Sequence, residues 1–218
     1  MNLSADKYDL LADGFAERTW ANLTFEMQRR LALSMTWGPR LNSADSVLEF
    51  GCGDGYLAQL FVTSGLSYRG MDQSPKMIAM AERRLMAAGL HARFEVSDVA
   101  DLSLTEPVDA IVSYMGTFFT FVQEPLPLLR RLRPRIRKKI IVDLNPRGRI
   151  DLASASAMLE AAGFRKVTWR PVFVPTSMKL PDFALRALTL SEEIPIVRNL
   201  PVRWKFNILL KGEGDFDG

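Results

Sequence analysis

Three glycines and their neighbouring carboxylates are the residues of this sequence best suited to holding a ligand. Gly51, Gly53 and Gly55 occupy alternate positions in FGCGDGYLA, with Glu49 before them and Asp54 among them. Glycine permits positive φ angles and lets a ligand approach the backbone closely. Pyrophosphate-binding turns prefer the spacing G-x-G-x-x-G, and two nearby carboxylates would repel a phosphate. The segment therefore favours a cationic ligand with a small polar head group.

Two more acids follow the next strand-like runs. Asp72 ends SYRGMD, 17 residues after Gly55, and Asp98 ends FEVSD. A carboxylate in the first position can accept hydrogen bonds from vicinal ribose hydroxyls. A carboxylate in the second can accept one from the exocyclic amine of a purine. In the alternative interpretation, Asp72 and Asp98 only cap the helices that follow them, and Glu49 only pairs with a surface arginine.

The elements that must position these residues alternate along the chain. Seven strand-like runs are separated by helix-like runs and short links; the strands are SVLEF, SYRGMD, ARFEVSD, VDAIVSYM, KKIIVDLN, RKVTWRPVFV and RWKFNILLKG. Such alternation predicts a mostly parallel sheet with helices on both faces. Ligands of open parallel sheets bind beyond the carboxyl ends of the strands, where the glycine turn and the three strand-ending acids would meet. The long connection before the last strand permits that strand to run antiparallel.

The composition indicates one domain in 218 residues, with 48% hydrophobic residues. A single cysteine, Cys52, excludes an intramolecular disulfide framework, and we expect no metal site. The first residues lack the pattern of a secretory signal, and no apolar run is long enough to span a bilayer. We therefore expect a cytoplasmic protein without a membrane span, and the net charge of +3 does not by itself indicate nucleic-acid binding.

At the level of these motifs the chain resembles the class I S-adenosylmethionine-dependent methyltransferases. VLEFGCGDGYLA matches the glycine-rich motif, YRGMDQSPKMIAMAERRL the ribose motif, ARFEVSDVADL the adenine motif and VDAIVSYMGTFFTF the fourth-strand motif. KKIIVDLNPRG and ASAMLEAAGFRKVTW resemble the fifth strand, the last helix and the sixth strand. The resemblance covers about residues 45 to 211.

The resemblance implies a three-layer, Rossmann-like α/β sandwich. Its seven-stranded sheet would be mostly parallel with an antiparallel last strand, preceded by a helical N-terminal extension. We accordingly divide the chain into a helical lid at residues 1–40, a methyltransferase domain at 41–211 and a frayed acidic tail at 212–218.

The resemblance also implies a cofactor, S-adenosylmethionine, and the residues that would bind it. They come from the glycine turn, the ends of the strands and the starts of the following helices: Glu49, Phe50, Gly51, Gly53, Gly55, Asp72, Gln73, Met77, Asp98, Val99, Ser113 and Tyr114. The acceptor would lie near Tyr8, Tyr114, Met115 and Phe118. A sulfonium and an ammonium in the ligand would explain the acid-rich turn.

We predict methyl transfer to a small or medium organic molecule, by a monomer or homodimer that works mainly by aligning its substrates. No catalytic residue is assigned, because His91 is the only histidine and falls in a predicted surface loop. The N-terminal helices and the segment from Pro175 to Val202 are expected to form the acceptor side.

Two alternatives stay open. The run RRLRPRIRKK, Arg130 to Lys139, has seven basic residues in ten and could bind RNA in an RNA methyltransferase. The chain could also be a non-catalytic cofactor-binding module. A dehydrogenase is less favoured, because of the glycine spacing and Asp54.

Overall fold

The computed structural model describes residues 3–102, 104–114, 117–201 and 204–215. These residues form one seven-stranded sheet with helices on both faces. Its strands are β1 (Ser46–Phe50), β2 (Ser67–Asp72), β3 (Arg93–Val96), β4 (Val108–Ser113), β5 (Ile136–Leu144), β6 (Arg165–Val172) and β7 (Asn207–Glu213).

The strand order is β3-β2-β1-β4-β5-β7-β6. Pairs among β1 to β5 are parallel, whereas β7 is antiparallel to both of its neighbours, β5 and β6. The predicted Rossmann-like sandwich with an antiparallel last strand is therefore confirmed. Since the order reverses direction between β1 and β4, the carboxyl edge of the sheet has a switch point there.

Helices cover the two faces in two separate cores. Their bounds are α1 (Leu3–Leu11), α2 (Phe15–Thr19), α3 (Leu23–Thr36), α4 (Tyr56–Thr63), α5 (Pro75–Ala87), α6 (Thr117–Phe121), α7 (Pro125–Leu132), α8 (Leu152–Ala161), α9 (Asp182–Ser191) and α10 (Pro195–Arg198). The core under α3, α4 and α5 includes Met27, Phe61 and Leu85, and the core under α6 to α8 includes Leu129 and Leu159.

Local sequence determines where α5 begins and ends. Ser74 caps the helix by accepting a hydrogen bond from the Met77 N–H at 3.1 Å, and Pro75 takes the first helical position. Gly89 follows the helix with a φ of 67°. These residues place Asp72 and Gln73 at the entrance to α5, on the carboxyl edge of the sheet.

The sequence predicts one long connection between the last two strands. In the structure this connection contains α9 and α10. It contacts the N-terminal helices at the start of α3, where the Asn22 side chain donates a hydrogen bond to the Met178 carbonyl at 2.8 Å. β6 is one of the two edge strands of the sheet, which explains why it tolerates Pro171 near its end.

The last strand extends beyond residue 211. β7 continues to Glu213, and the Gly214 N–H donates to the Lys138 carbonyl at 2.7 Å. Asp215 pairs with Arg133 at 2.7 Å and also with Arg165. The division of the chain into lid, domain and tail stays a prediction, with its last boundary set too early for β7.

The basic run Arg130 to Lys139 lies at the amino end of β5, at the edge of the sheet opposite the glycine turn. Arg133, Lys138 and Lys139 are buried. Lys139 donates to the Trp37 carbonyl at 2.9 Å, and burial lowers its pKa to about 7. The run is therefore not one continuous basic surface. Within the described ranges, no helix is long and apolar enough to cross a membrane.

Candidate active site

A large cavity opens at the carboxyl ends of β1, β2 and β3. We call it the edge cavity; it encloses about 700 Å³ of empty space, including the part open to solvent. Nine residues predicted from the sequence line it: Tyr8, Phe50, Gly51, Gly53, Asp72, Gln73, Met77, Asp98 and Val99. Phe15, Met71 and Ser97 also line it and were missed, as does Phe121, which the sequence left open between core packing and an apolar wall of the acceptor pocket.

The three glycines of the turn have different roles. Gly51, Gly53 and Gly55 all have positive φ angles, of 67°, 55° and 76°. A Cβ atom on Gly53 would meet no atom within 4 Å, so this backbone faces open space. A Cβ on Gly55 would lie 2.7 Å from the Cβ of Ala81. Gly53 therefore leaves room for a ligand, whereas Gly55, which lines neither this cavity nor its neighbours, lets α4 approach α5.

Asp72 holds the turn in place as well as facing the cavity. Its Oδ2 accepts a hydrogen bond from the Gly53 N–H at 3.0 Å, and its Oδ1 accepts one from the Ser74 N–H at 2.9 Å. A carboxylate has about four acceptor positions, so both oxygens keep capacity for a ligand. Burial raises the pKa of Asp72, and these backbone hydrogen bonds oppose that shift.

Asp98 both caps a helix and lines the cavity, so the two interpretations from the sequence are compatible. Its Oδ1 accepts from the Ala100 N–H at 2.9 Å, which caps the 3-10 turn Val99–Asp101. Its side chain is exposed beside the buried Val99. The cavity therefore has an acid at each end of an apolar wall that includes Met77, which is 1% exposed.

Aromatic side chains from α1, α2 and α6 cover the edge cavity. The Tyr8 ring packs edge-on against Phe15 and Phe121, at centroid distances of 6.0 and 6.2 Å. Asp9 anchors α1 to α5, because its carboxylate accepts hydrogen bonds from the Ser74 hydroxyl and, at 3.3 Å, from the Lys76 N–H. Phe121 comes from the segment FFTF, whose aromatic residues were the available sequence signal.

A second cavity, the junction cavity, adjoins the first and shares Phe15, Gly51 and Gly53 with it. It encloses about 380 Å³ of empty space. Glu49 lines it and is 4% exposed. The Tyr68 hydroxyl donates to Glu49 Oε2 at 2.5 Å, and burial raises the pKa of Glu49 to about 8. Among the described residues, Glu49 forms no ion pair with a surface arginine.

Arg30 lies opposite Glu49 in the junction cavity and was missed by the sequence reading. Its guanidinium lies against the rings of Trp20 and Tyr114, 4.3 and 5.1 Å from their centroids. It is 6% exposed, and burial lowers its pKa. The guanidinium donates no hydrogen bond to any described residue, and its ion-pair partner Glu26 is 4.0 Å away. A buried guanidinium that donates no hydrogen bond to a described residue is suited to binding an anion.

Asp54, in contrast, is neutralised by the protein. Arg84 of α5 donates to Asp54 Oδ2 at 2.9 Å and to the Asp54 carbonyl at 3.0 Å. The carboxylate is 5% exposed. The prediction that both acids of the turn serve a cationic ligand is therefore wrong for Asp54, and Glu49 alone keeps that role.

A third cavity, the outer cavity, lies at the carboxyl end of β6 and the start of β7, between α3 and the connection from β6 to β7. It encloses about 430 Å³ of empty space and shares Trp20 and Arg30 with the junction cavity. Its walls include Leu33, Phe206 and the charged Arg29. The three cavities therefore lie in a row along the carboxyl edge of the sheet, each sharing wall residues with the next.

Some predicted residues lie away from the described walls of these cavities. Tyr114 is 1% exposed and its hydroxyl lies 2.8 Å from the Ser34 hydroxyl, so it ties β4 to α3. Phe118 is fully buried and stacks on Phe50. Ser113 is also fully buried, and its hydroxyl has no hydrogen-bond partner among the described residues. Met115 lies outside the described residues.

His91 lies away from the cavities, whereas Cys52 lines the junction cavity as a buried thiol. His91 is exposed in the link before β3, at the amino edge of the sheet. Cys52 is buried, and burial raises the pKa of its thiol well above the usual value. The protein therefore offers neither an imidazole nor a thiolate at the cavities.

Comparison with known proteins is consistent with this geometry. Residues 47–139 match the family model described as a methyltransferase domain. This segment runs from β1 into β5 and contains most of the residues that line the edge cavity. No curated protein matches the chain in sequence.

Solved structures resemble the chain over nearly its whole length. A putative methyltransferase in complex with the Trm112 methyltransferase activator, from Haloferax volcanii, has a TM-score of 0.65 and 19% identity over 95% of this chain and 97% of its own. The [4+2]-cyclase SpnF has a TM-score of 0.70 and 17% identity over 98% and 96%. Magnesium protoporphyrin IX methyltransferase from Synechocystis, solved with bound S-adenosylmethionine, has a TM-score of 0.56 and 16% identity over 98% and 100%.

These identities establish the fold and not the reaction, as the presence of a cyclase among the similar structures illustrates. The matched segment and the strand order agree with each other and with the motifs in the sequence. Residues 47–139 therefore match a methyltransferase domain, and the chain has the fold of the class I, S-adenosylmethionine-dependent methyltransferases.

Proposed function

We propose that the protein transfers a methyl group from S-adenosylmethionine to a small or medium organic acceptor. The observation that carries the proposal is the row of cavities along the carboxyl edge, in which an acid-flanked apolar cavity meets a second one holding a buried carboxylate and a buried guanidinium. The donor set fits the cofactor: carboxylates for hydroxyl and amine groups, and Arg30 for a carboxylate.

Each side chain has a defined task in this proposal. Asp72 accepts hydrogen bonds from the ribose hydroxyls, and Asp98 accepts one from the adenine amine, while Met77 and Val99 pack on the base. Glu49 accepts from the ammonium of the methionine part. Because burial raises the pKa of Glu49 to about 8, binding of a cation there releases its proton near neutral pH.

Arg30 binds the carboxylate of the same amino-acid part, opposite Glu49. Its guanidinium is already fixed by Trp20 and Tyr114, so little ordering is required when the ligand arrives. When bound, S-adenosylmethionine supplies a methyl group activated by the positive charge on sulfur. The protein itself contributes alignment and exclusion of water, the latter through Tyr8, Phe15 and Phe121.

The acceptor reaches the cofactor from the outer cavity. That cavity lies between α3 and the connection from β6 to β7, which are the elements that the sequence reading assigned to the acceptor side. Apolar walls at Leu33, Val174 and Phe206 support an organic acceptor. The basic run from Arg130 to Lys139 gives no support to an RNA substrate, because it is partly buried and lies at the opposite edge.

Calorimetric titration of the purified chain tests the cofactor. We expect binding of S-adenosylmethionine and S-adenosylhomocysteine, and none of NADH. Asp72→Asn should weaken the binding of S-adenosylhomocysteine by about 1.5–3 kcal/mol, since hydrogen bonds to a charged group are lost. Unchanged affinity in this variant, or preferential binding of NADH, would contradict the assignment.

Turnover is a separate test. Formation of S-adenosylhomocysteine from S-adenosylmethionine is measured against a panel of amine, phenol, carboxylate and thiol acceptors. Product formation with at least one class supports an enzyme. Tight cofactor binding with no product from any class would instead indicate a non-catalytic cofactor-binding module.

A further inference from the structure

The connection between β6 and β7 exposes an unusual amount of apolar surface. Seven of the eleven large hydrophobic residues that are exposed in the described chain lie in it: Met178, Phe183, Leu190, Ile194, Ile196, Trp204 and Phe206. Ile196 is 79% exposed, Phe183 76% and Leu190 72%. Clustered exposed hydrophobic residues mark a surface that binds something apolar.

Helix α9 carries part of this surface on its outward face. Phe183, Arg186 and Leu190 are spaced by three and four residues, so they lie on one face, and all three are exposed. Leu185 points the other way and is 2% exposed. α9 is therefore apolar on two sides, although a helix on a protein surface normally directs a polar face to water.

Cations border the apolar residues. The Arg198 guanidinium and the Lys205 ammonium both lie over the Trp169 ring, at 4.3 and 4.9 Å from its centroid. This shared ring brings α10 next to the segment of Trp204 and Phe206. Burial and repulsion from Arg170 lower the pKa of Arg198. Burial and repulsion from Arg198 lower the pKa of Lys205.

Few acids offset these charges. Glu193 pairs with Arg170 at 2.6 Å, and the buried Glu192 pairs with Arg29. Asp182 is exposed at the start of α9, and exposed Arg186 lies one turn further along the same helix. Lys179, Arg186 and Arg198 reach solvent in this connection, whereas Lys205 is 5% exposed. Against them stand the exposed Asp182 and Glu193, so the surface combines apolar side chains with a small excess of cations, which is the combination that binds the interface of an anionic bilayer.

We infer that this surface, formed by α9, α10 and the segment of Trp204 and Phe206, docks the protein on a bilayer that contains anionic phospholipids. The apolar residues enter the interfacial region while Arg186 and the partly exposed Arg198 contact lipid phosphates. Phe206 belongs both to this surface and to the wall of the outer cavity, so an acceptor dissolved in the lipid has a short way into that cavity. The inference goes beyond the proposed function, because docking does not require turnover.

Vesicle flotation tests the inference with the full chain and no cofactor. Vesicles of phosphatidylcholine are compared with vesicles containing about one quarter phosphatidylglycerol. We expect binding at least about tenfold stronger to the anionic vesicles, weakened strongly at about 0.5 M salt. Equal or negligible binding to the two kinds of vesicle would overturn the inference.

Surface variants locate the contact. Phe183→Ser combined with Leu190→Ser should lower binding to anionic vesicles about tenfold, and Arg186→Gln with Arg198→Gln should do so while removing the salt dependence. The matched controls are Met86→Ser, 70% exposed on α5, and Arg83→Gln on the same helix. Circular dichroism and thermal melting confirm that each variant is folded.

Two results would contradict the assignment of the surface. One is loss of vesicle binding in the α5 controls to the same extent as in the α9 variants. The other is a stable dimer in sedimentation that Phe183→Ser with Leu190→Ser dissociates, because the surface would then be covered by a second copy of the chain.

Discussion

The two halves of the carboxyl edge are built differently. On the side of β1 to β3, the site is formed by short segments that hold one another through the backbone, as when Asp72 accepts hydrogen bonds from Gly53 and Ser74. On the side of β7 and β6, it is formed by side chains distant in sequence, as when Asn22 donates to the Met178 carbonyl across 156 residues. Motifs describe the first kind of construction, whereas only the fold reveals the second.

The two halves also treat their buried acids differently. Glu49 accepts from the Tyr68 hydroxyl and faces the junction cavity. Glu192 forms an ion pair with Arg29 and accepts from the Phe173 N–H at 2.8 Å, which ties the connection from β6 to β7 to α3. The first acid is therefore available to a ligand, and the second holds the protein together.

The largest expected effect distinguishes the packing role of Gly55 from the ligand-facing role of Gly53. Gly55→Ala should lower the free energy of unfolding by about 3–4 kcal/mol. The added methyl group would clash with the Ala81 backbone, and the alanine would have to adopt a positive φ angle. Gly53→Ala carries a similar backbone strain without a clash, and should cost about 1 kcal/mol of stability. Urea unfolding measures both values.

The affinity for ligand, unlike the stability, should depend on Gly53 rather than on Gly55. Gly53→Ala should weaken the binding of S-adenosylhomocysteine, because its methyl group would occupy open space at the edge cavity. Gly89→Ala is the matched control, with a φ of 67° and no atom within 4 Å, but at the far end of α5. Equal losses of affinity in Gly53→Ala and Gly89→Ala would show that Gly53 has no contact with the ligand.

The second test compares the two buried acids through pH. Burial raises the pKa of Glu49 to about 8 in the folded protein, above its ordinary value in the unfolded chain. Between these values the folded state holds a proton that the unfolded state does not, so stability falls as the pH rises towards 8. We expect a loss of about 2–3 kcal/mol attributable to Glu49 between about pH 5 and pH 8.

Glu49→Gln should remove this loss, including the part between about pH 7 and pH 8. Glu192→Gln is the matched control, because burial raises the pKa of Glu192 only to about 7 and its contribution ends at lower pH. Thermal unfolding across the pH range measures the effect. A Glu49→Gln profile as steep as that of the unmodified protein above neutral pH would show that Glu49 is ionised in the folded state.

The third test addresses the missed residue, Arg30. S-adenosylhomocysteine has an amino-acid carboxylate, and 5′-methylthioadenosine lacks it, so the ratio of their affinities reports contacts to that part. Arg30→Gln should reduce the ratio by about tenfold, since a charge-assisted hydrogen bond is lost. Arg29→Gln is the control, because Arg29 pairs with Glu192 instead. An unchanged ratio in Arg30→Gln would remove Arg30 from the cofactor site.

The sequence was sufficient for the sheet and for most of the edge cavity. Glycine spacing, strand-ending acids and the caps of α5 are local features, and each depends on backbone geometry that nearby residues determine. Asp54 shows the limit of this reasoning, since its pairing with Arg84, thirty residues away, neutralises a charge that the motif alone leaves free.

The junction cavity could not be predicted in the same way. Arg30 lies in the middle of an amphipathic helix, where an arginine is ordinarily a solvated residue. Its burial depends on Trp20 and on Tyr114 of another element, 84 residues away from it in sequence. Tyr114 shows the same dependence: its position at the end of β4 predicts a ligand contact, which stays a prediction, and the fold adds a contact between its hydroxyl and that of Ser34 in α3.

The last and smallest expected effect concerns the opposite edge of the sheet. Arg130 and Arg135 are exposed there, and Arg130 makes only a long contact of 3.4 Å with the Ala161 carbonyl. Substituting both by glutamine should change neither stability nor cofactor affinity by more than about 0.5 kcal/mol, because neither side chain reaches the cavities. Binding to single-stranded RNA should also remain weak and unchanged. If the double variant instead lost turnover on an RNA acceptor while keeping its cofactor affinity, the acceptor would approach across the basic edge, and the outer cavity would not be its site.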